Sequence, residues 1–357
     1  MDAALLIREL PKAELHVHLE GTLDVAEVVR LARRTGQRVP EPYARLLHLA
    51  PGTDGSSAVV GQVATFLEFL DWECGLLETA DDLADVAYRA AGRETSSGAR
   101  YADVIVNPTH FGAWRHDVYG LLRSLSEGFD AAEQDGLCAV GICPSLRRDQ
   151  SASEANELVA LLLEKPLPRV VALSIDGDET AAGRTGPRFA EAFAAARAGG
   201  LATTAHAGES SGPDGVWDAL DVLQVERIDH GVRAIEDPRL VAELALRRIT
   251  LNICPRSNLV LGLYVSRAHH PIEALRQAGV AMTVNTDDPA IIGARLEDEW
   301  LINGQTFGWD TDVYTQLARA SLEAAFCDQD RRRSLLRELD AALTPRDGWS
   351  ADPGLQS

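Results

Sequence analysis

AELHVHLEG, at residues 13–21, is the first of eight short runs rich in apolar residues that end in polar residues, glycine or proline. The other runs are ARYADVIVNP (99–108), LCAVGICPS (137–145), RVVALSIDGDE (169–179), LATTAHAGE (201–209), ERIDHGV (226–232), ITLNICPRSN (249–258) and AMTVNTDDP (281–289). Such runs are typical of strands buried on both faces of a parallel sheet. Most gaps between them have helical patterns rich in Ala, Leu, Glu and Arg. Eight strands alternating with helices predict an α/β fold, a (β/α)8 barrel of the TIM type, over residues 1–343.

The first gap, residues 24–98, is far longer than one crossover helix requires. We interpret it as a helical insertion after the first strand that packs over the mouth of the barrel, where active sites of this fold lie. A mobile lid and a structural addition are both compatible with it. Phe66 and Trp72 could cover a ligand there, although packing in the core of the protein is the role that we favour for these two aromatic side chains. Residues 344–357 are predicted to be a flexible tail.

Composition limits the function. The formal net charge of −20 argues against a nucleic-acid surface, which needs clustered Lys and Arg. The sequence has no apolar stretch long enough to span a membrane and no signal-peptide pattern at its start. Its five cysteines have no paired spacing, which favours reduced thiols and a cytoplasmic protein. We therefore expect a small polar substrate; the oligomeric state cannot be inferred.

Polar residues recur at the ends of several predicted strands. His16 and His18 are two apart on one strand, so their rings point to the same face. His206, His230 and the pair Asp287-Asp288 close later strands of the barrel. Three histidines and one carboxylate that meet at one mouth suit Zn²⁺ and leave a position for water. Separate, hydrogen-bonded polar residues are the alternative interpretation.

The remaining polar residues at the mouth suit hydrolysis. Zinc would lower the pKa of a bound water toward about 7. His230 would orient that water or take its proton, and Glu209 is placed to act as an acid toward the substrate. Asp288 would face the substrate, and Gly177 would let a ligand approach the backbone, although a plain turn explains that glycine equally well.

The chain resembles the adenosine deaminase family, which also contains adenine deaminases. The resemblance rests on PKAELHVHLEGTL, SIDGDET, HAGE, RIDHGV, CPRSN and NTDDP, which occur in family order between residues 11 and 289. It implies a mononuclear zinc barrel enzyme that hydrolyses a cyclic amidine C–N bond, releasing ammonia from a 6-aminopurine. The implied metal ligands are His16, His18, His206 and Asp287.

The resemblance also implies roles around the substrate. Glu209 corresponds to the group that protonates the purine N1, and His230 to the histidine beside the attacking water. Asp288 corresponds to the residue at N7 and Gly177 to the backbone contact at N3. Glu20 and His18 complete the implied substrate-binding set.

The substrate motifs point in two directions. Glu20 stands where adenosine deaminases usually have an aspartate that contacts the ribose, and adenine deaminases have glutamate there. SIDGDET instead resembles the nucleoside enzymes, which gives a slight preference for adenosine over adenine or a modified adenosine. Arg256, within CPRSN, is either an exposed loop residue or a contact for an anionic substituent. His110, His116, His269 and His270 are expected to be solvated loop residues.

Two other functions compete with deamination. A different hydrolysis on the same barrel would fit, but its binuclear members usually carry a lysine at the end of the fourth strand. That run ends SIDGDE, without lysine, which favours one metal ion. A non-catalytic binding protein is the second alternative, and the presence of both Glu209 and His230 argues against it.

Overall fold

The computed structural model describes residues 2–40 and 63–344. Its strands are β1 Lys12–His18, β2 Ala99–Val106, β3 Ala139–Arg147, β4 Ala172–Asp176, β5 Ala202–Ala207, β6 Arg227–His230, β7 Thr250–Ile253 and β8 Met282–Val284. Each of the eight predicted runs overlaps one of them. All strands except β3 end earlier than their runs do, because the polar residues that follow turn into the loops of the barrel mouth.

All neighbouring strands are parallel and follow the order β1 to β8. The last strand returns to the first through a parallel bridge between Val17 and Asp287. The His18 N–H donates to the Asp287 carbonyl at 2.8 Å, and the Asp287 N–H donates to the His16 carbonyl at 3.1 Å. The sheet therefore closes on itself, and the predicted (β/α)8 barrel is confirmed. Closure joins two segments that both carry predicted site residues.

Helices surround the barrel. Within the described residues they are α1 Ala3–Glu9, α2 Val25–Arg34, α3 Val63–Cys74, α4 Ala80–Ser96, α5 Val118–Gln134, α6 Ala152–Glu164, α7 Glu179–Ala182, α8 Gly186–Ala198, α9 Pro213–Asp218, α10 Pro238–Arg247, α11 Pro255–Val260, α12 Ile272–Gln277, α13 Pro289–Ile292, α14 Leu296–Phe307, α15 Thr311–Ala324 and α16 Gln329–Leu343. Several begin at a capping box, such as that of Ser151 and Glu154 before α6, which satisfies free N–H groups at the helix start. Among the described residues, no helix has the length and apolar character needed to cross a bilayer.

A buried ion pair lies below the centre of the barrel. The Arg227 guanidinium donates to the Asp103 carboxylate at 2.6 Å and lies 3.5 Å from the centre of the Phe326 ring. Both charged side chains are almost fully buried. The pair fills the lower part of the barrel, so the open side is the one at the carboxyl ends of the strands.

The predicted insertion, residues 24–98, has two different parts. Helix α4, at its end, packs against α5 and β2 as the first barrel helix does in this fold. Helix α3 instead lies at the mouth, where Phe66, Leu67 and Leu70 line a pocket. Residues 41–62 of the insertion lie outside the described residues, as do residues 345–357 of the predicted tail.

Candidate active site

The predicted site residues come together at the carboxyl ends of the strands. Strand β1 supplies two of them, β5 and β6 each end near one, and the turn after β8 supplies the carboxylates. Lining the same pocket are His18, His206, Glu209, His230, Asp287, Asp288 and Gly177. Residues as far apart in the chain as His18 and Asp288 thus share one cavity.

His206 lies at the centre of the histidine group. Its Nε2 is 3.1 Å from Nε2 of His16 and 3.0 Å from Nε2 of His18. The Oδ1 atom of Asp287 is 3.2 Å from Nε2 of His16 and 3.4 Å from Nε2 of His18. Three imidazole nitrogens and one carboxylate oxygen therefore converge on one point.

Main-chain carbonyl groups fix the orientation of two of these rings. Nδ1 of His16 faces the Asn252 carbonyl at 3.2 Å, and Nδ1 of His206 faces the Ile175 carbonyl at 3.1 Å. A carbonyl oxygen only accepts, so each Nδ1 carries the proton and each neutral ring has its lone pair on Nε2. This is the arrangement in which the outer nitrogen of a metal-binding histidine is held by a carbonyl or carboxylate.

The donor set fits a metal ion. Two Nε2 lone pairs that face each other at 3.1 Å repel, and a cation between them removes that repulsion. The neighbourhood also favours positive charge: burial opposes protonation of His16, yet Asp287 and Asp229 raise its pKa to about 9, so without a metal ion a proton on Nε2 of His16 would take the place of that cation. Imidazole nitrogens with one carboxylate oxygen, all buried, are ligands typical of zinc sites.

Two histidines, His18 and His230, are candidates for the fourth ligand. His16, His206, His230 and Asp287 also offer four ligand atoms within 4.8 Å of one another, a set with His230 in place of the predicted His18. The contacts of the two histidines differ. Nε2 of His18 faces His206 and Asp287 Oδ1, whereas Nε2 of His230 lies 3.4 Å from the Glu209 carboxylate and 3.7 Å from Asp287 Oδ2.

Two site residues have unusual backbone angles. His230 has φ of 64° and Asp287 has φ of 70°, in the left-handed region that residues other than Gly adopt uncommonly, although Asn, Asp and His do so more often than the rest. Such strain persists where the surrounding structure holds it, and it is concentrated at functional sites. At the ends of β6 and β8 it turns each side chain toward the pocket.

Two carboxyl groups in the pocket are held in an environment that favours protonation. Burial, together with Asp287 and Glu179, raises the pKa of Glu209 well above its usual value. Burial and the same Asp287 raise the pKa of Asp288, whose Oδ1 has no hydrogen-bond partner among the described residues. Each can therefore act as a hydrogen donor toward a ligand.

The loop that carries Glu209 is held by one buried carboxylate that sequence reasoning missed. Glu179 accepts hydrogen bonds from four consecutive main-chain N–H groups, those of Gly208, Glu209, Ser210 and Ser211, at 2.9–3.1 Å. Only its place in the SIDGDET motif could have indicated it. Its function is to position the loop.

The pocket continues away from the histidines to a second polar end. The Glu20 carboxylate accepts from the Asn107 N–H at 2.6 Å, and the Asn107 amide donates to Asp176 at 2.5 Å. The other oxygen of each carboxylate has no partner among the described residues. His110 lines the pocket here and contacts the Asp71 carboxylate at 2.6 Å. Asp176 lines the pocket, so its free oxygen can accept from a ligand. Glu20 does not line the pocket, and its burial raises its pKa to about 7.

Several expectations about surface residues were wrong. His110 and His270 are buried, and each makes a side-chain hydrogen bond inside the protein. His116 and His269 are exposed, as predicted. Arg256 is 2% exposed and its Nε donates to the Ile292 carbonyl, so it is not an exposed loop residue. It does not line the pocket.

Comparisons with known proteins agree with the geometry. A family model described as adenosine deaminase matches residues 11–342. An adenine deaminase of Cupriavidus metallidurans is 36% identical over 361 residues, covering 99% of this chain and 96% of that protein. The adenine deaminase of Rhodopseudomonas palustris is 32% identical and covers 96% of this chain and 97% of its own.

Solved structures give the same result. The crystal structure of an adenine deaminase from Arthrobacter aurescens superposes with a TM-score of 0.83 at 27% identity, covering 93% of this chain and 98% of that one. An amidohydrolase from Burkholderia ambifaria with bound Zn has a TM-score of 0.84 at 27% identity, with coverage of 96% and 94%.

We predict that removal of His16 or His18 releases the metal, whereas removal of His230 does not. His16→Ala and His18→Ala should each lose metal on dialysis, because a buried site with three ligands holds the ion less tightly than one with four. Metal analysis of the dialysed proteins by mass spectrometry measures this. The unmodified protein should retain about one ion per chain, because the four proposed ligands converge on a single centre.

His269→Ala is the matched control, since His269 is exposed and outside the pocket. Loss of metal from His230→Ala with retention in His18→Ala would assign the fourth ligand to His230 instead.

We also predict that Glu179→Gln impairs turnover without releasing metal. The glutamine amide nitrogen cannot accept, so buried N–H groups lose their partner and the free energy of unfolding should fall by about 1–3 kcal/mol. Because Glu209 is then less well held, kcat should fall as well. Urea unfolding and steady-state kinetics measure the two effects. Asp178→Asn, next in sequence, keeps its helix-capping acceptor and should match the parent protein.

Proposed function

Since the chain belongs to the adenosine deaminase family and is an aminohydrolase of purines, we propose that it hydrolyses a 6-aminopurine nucleoside such as adenosine to the 6-oxopurine and ammonia. The family resemblance and the predicted enzyme class are confirmed by the family model and the relatives. One observation carries the proposal most strongly: three histidine nitrogens and the Asp287 carboxylate converge beside a carboxyl group, Glu209, whose surroundings favour protonation.

We assign His16, His18, His206 and Asp287 as ligands of one Zn²⁺ ion. His18 is preferred as the fourth ligand because its Nε2 faces only the other ligand atoms, while that of His230 is shared with Glu209. When bound, zinc polarises a water molecule and makes it nucleophilic at neutral pH. His230 is left to orient that water or to accept its proton.

Three donors match the three ring nitrogens of a 6-aminopurine. Ring nitrogens N1, N3 and N7 only accept hydrogen bonds, so the groups that bind them must carry hydrogen. The protonated carboxyl of Glu209 would donate to N1, that of Asp288 to N7, and the Gly177 N–H to N3. Protonation of N1 draws electrons from C6, the carbon that water attacks as the amino group leaves.

Gly177 is suited to the contact at N3 because of its backbone. Its φ of 97° is a conformation that glycine adopts readily, and the residue lines the pocket without a side chain between backbone and ligand. The SIDGDET motif thus supplies a ligand contact at Gly177 and the positioning carboxylate at Glu179.

The second polar end of the pocket favours a nucleoside over the free base. Asp176 lines the pocket and one of its oxygens has no partner among the described residues, so it can accept from the hydroxyl donors of a ribose, where adenine offers a single N9–H. A 5′-phosphate fits less well, because it would lie among carboxyl groups of like charge. We therefore expect nucleosides to be used in preference to nucleotides.

Adenine is the second candidate substrate. The relatives reported above are named adenine deaminases, and Glu20 is the residue that such enzymes carry after the His-x-His-Leu motif. In that case the Glu20 carboxylate would accept from the N9–H of the base. Both candidates share the same chemistry at C6.

We predict that the zinc-loaded protein deaminates adenosine or deoxyadenosine with a higher kcat/KM than adenine or AMP. Ultraviolet absorbance follows the conversion of a 6-amino to a 6-oxopurine for each compound, with N6- and 5′-substituted adenosines in the same panel. Preference for adenine would establish the second candidate. Inactivity toward every 6-aminopurine and pterin tested would contradict a deaminase function.

Glu209→Gln is expected to keep the fold and the metal but to lose most turnover, with kcat lower by about 10²–10⁴-fold. The glutamine side chain has the same shape and still donates a hydrogen bond, but it cannot deliver a proton to N1. Steady-state kinetics and metal analysis measure the two properties. The control is Glu226→Gln, since Glu226 is an exposed glutamate at the opposite end of β6. Loss of metal from Glu209→Gln would identify Glu209 as a ligand.

A further inference from the structure

A line of hydrogen bonds runs behind His230, from the pocket to the start of helix α12. It passes from the main chain of Ile272 through the side chains of His270 and Asn258 to the His230 ring. All three side chains are buried. The substrate contacts proposed above do not use His270 or Asn258.

The direction of the first bond cannot be reversed. The Ile272 N–H is a main-chain donor, and it lies 3.2 Å from Nδ1 of His270. Nδ1 of His270 therefore accepts. Burial and the charge of Arg267 lower the pKa of His270 to about 3, so the ring is neutral at physiological pH and its single proton is on Nε2.

The next bond fixes the orientation of the Asn258 amide. Nε2–H of His270 donates to Oδ1 of Asn258 at 3.0 Å. With its oxygen committed to His270, the amide turns its NH₂ group to the other side, 3.3 Å from Nδ1 of His230 and 3.4 Å from Oε1 of Glu209. The reversed amide would place its hydrogens against the N–H of His270.

The Asn258 amide in turn sets the proton of His230. An amide nitrogen only donates, so Nδ1 of His230 accepts from it and the proton of the neutral ring lies on Nε2. That Nε2 is the atom that faces Glu209 and Asp287. A nitrogen that carries a proton has no lone pair for a metal ion or for a second proton.

We propose that His270 and Asn258 are positioning residues that hold His230 as its Nε2–H tautomer, so that His230 donates a hydrogen bond into the active site and does not accept a proton there. The inference rests on the proposed function only for the consequence in catalysis. Of the two roles open to His230, it favours the first: His230 orients the attacking water by donating a hydrogen bond from Nε2, and it does not take the proton of that water.

The surroundings keep this line in place. Asn258 is in α11, and its main-chain N–H donates to the Cys254 carbonyl at 3.1 Å. The ring of Tyr264 packs edge-on against His270, with 4.9 Å between the ring centres. The last residue of the CPRSN motif therefore acts through its side-chain amide, and the second histidine of the pair at 269–270 supports it.

Long-range ¹H–¹⁵N correlation spectra of the zinc-loaded protein, labelled with ¹⁵N in histidine, test the tautomer directly. The pattern of His230, assigned by its loss in His230→Gln, should be that of an Nε2–H ring. In Asn258→Asp the carboxylate accepts from His230, so the proton should move to Nδ1. A pattern of an Nδ1–H ring in the unmodified protein, or an unchanged pattern in Asn258→Asp, would overturn the proposal.

Kinetics of His270 variants test the consequence. His270→Phe keeps ring packing but removes the donor, and kcat should fall by about 10- to 100-fold with little change in KM or metal content. His270→Gln can donate to Asn258 from its amide and should recover part of the loss together with the Nε2–H pattern. Equal losses in both variants would contradict the proposed relay.

His269→Phe is the matched control, because His269 is exposed and, among the described residues, its ring hydrogen-bonds only to Ser266 Oγ. This variant should lose the signals of His269 itself and leave the His230 pattern and kcat unchanged. The spectra need no substrate. If the protein deaminates no 6-aminopurine, the proposed function fails, but the tautomer is still tested.

Discussion

The repulsion between inward-facing imidazole nitrogens is the constraint on which the rest of this site depends. The carbonyl groups of Asn252 and Ile175 hold His16 and His206 so that both Nε2 lone pairs point at one centre. Such an arrangement is stable when a cation occupies that centre, and it needs a rigid frame to hold it. Closure of the barrel supplies the frame, because the same bridge that joins β8 to β1 fixes Asp287 beside the two histidines of β1.

The second feature of the site is the concentration of carboxyl groups in a buried pocket. Burial and the neighbouring carboxylate of Asp287 raise the pKa values of Glu209 and Asp288 well above their usual range, which favours the protonated form that can donate a hydrogen bond. Charged groups of one sign would normally destabilise a protein interior. A metal ion bound next to them would offset part of the cost, and one oxygen of Asp176, which lines the pocket, has no partner among the described residues.

Two supporting groups show how the fold orients side chains of the pocket. Glu179 binds four main-chain N–H groups and so fixes the loop of Glu209, while the N–H of Ile272 starts the line of bonds that ends at His230. In both cases a main-chain N–H, whose direction as a donor cannot change, determines the geometry of a side chain at the reaction centre. The precision of the site therefore derives from the backbone as well as from the residues that touch the substrate.

The sequence by itself determined the strands, their parallel order and the residues at their ends, because these depend on local apolar patterning and on the two-residue period that puts His16 and His18 on one face. It also indicated Glu209, His230 and Asp288 through their motifs. Only the tertiary structure decided what Glu179, Asn258 and His270 do, and that His110 and Arg256 are buried. Apart from Ile272, which is two positions from His270, the partners of their side chains lie 12 to 49 positions away in the chain, as the bonds of Asn258 to His270 and Glu209 illustrate. Hydrogen-bond direction and burial arise from contacts between distant segments, and no local pattern encodes them.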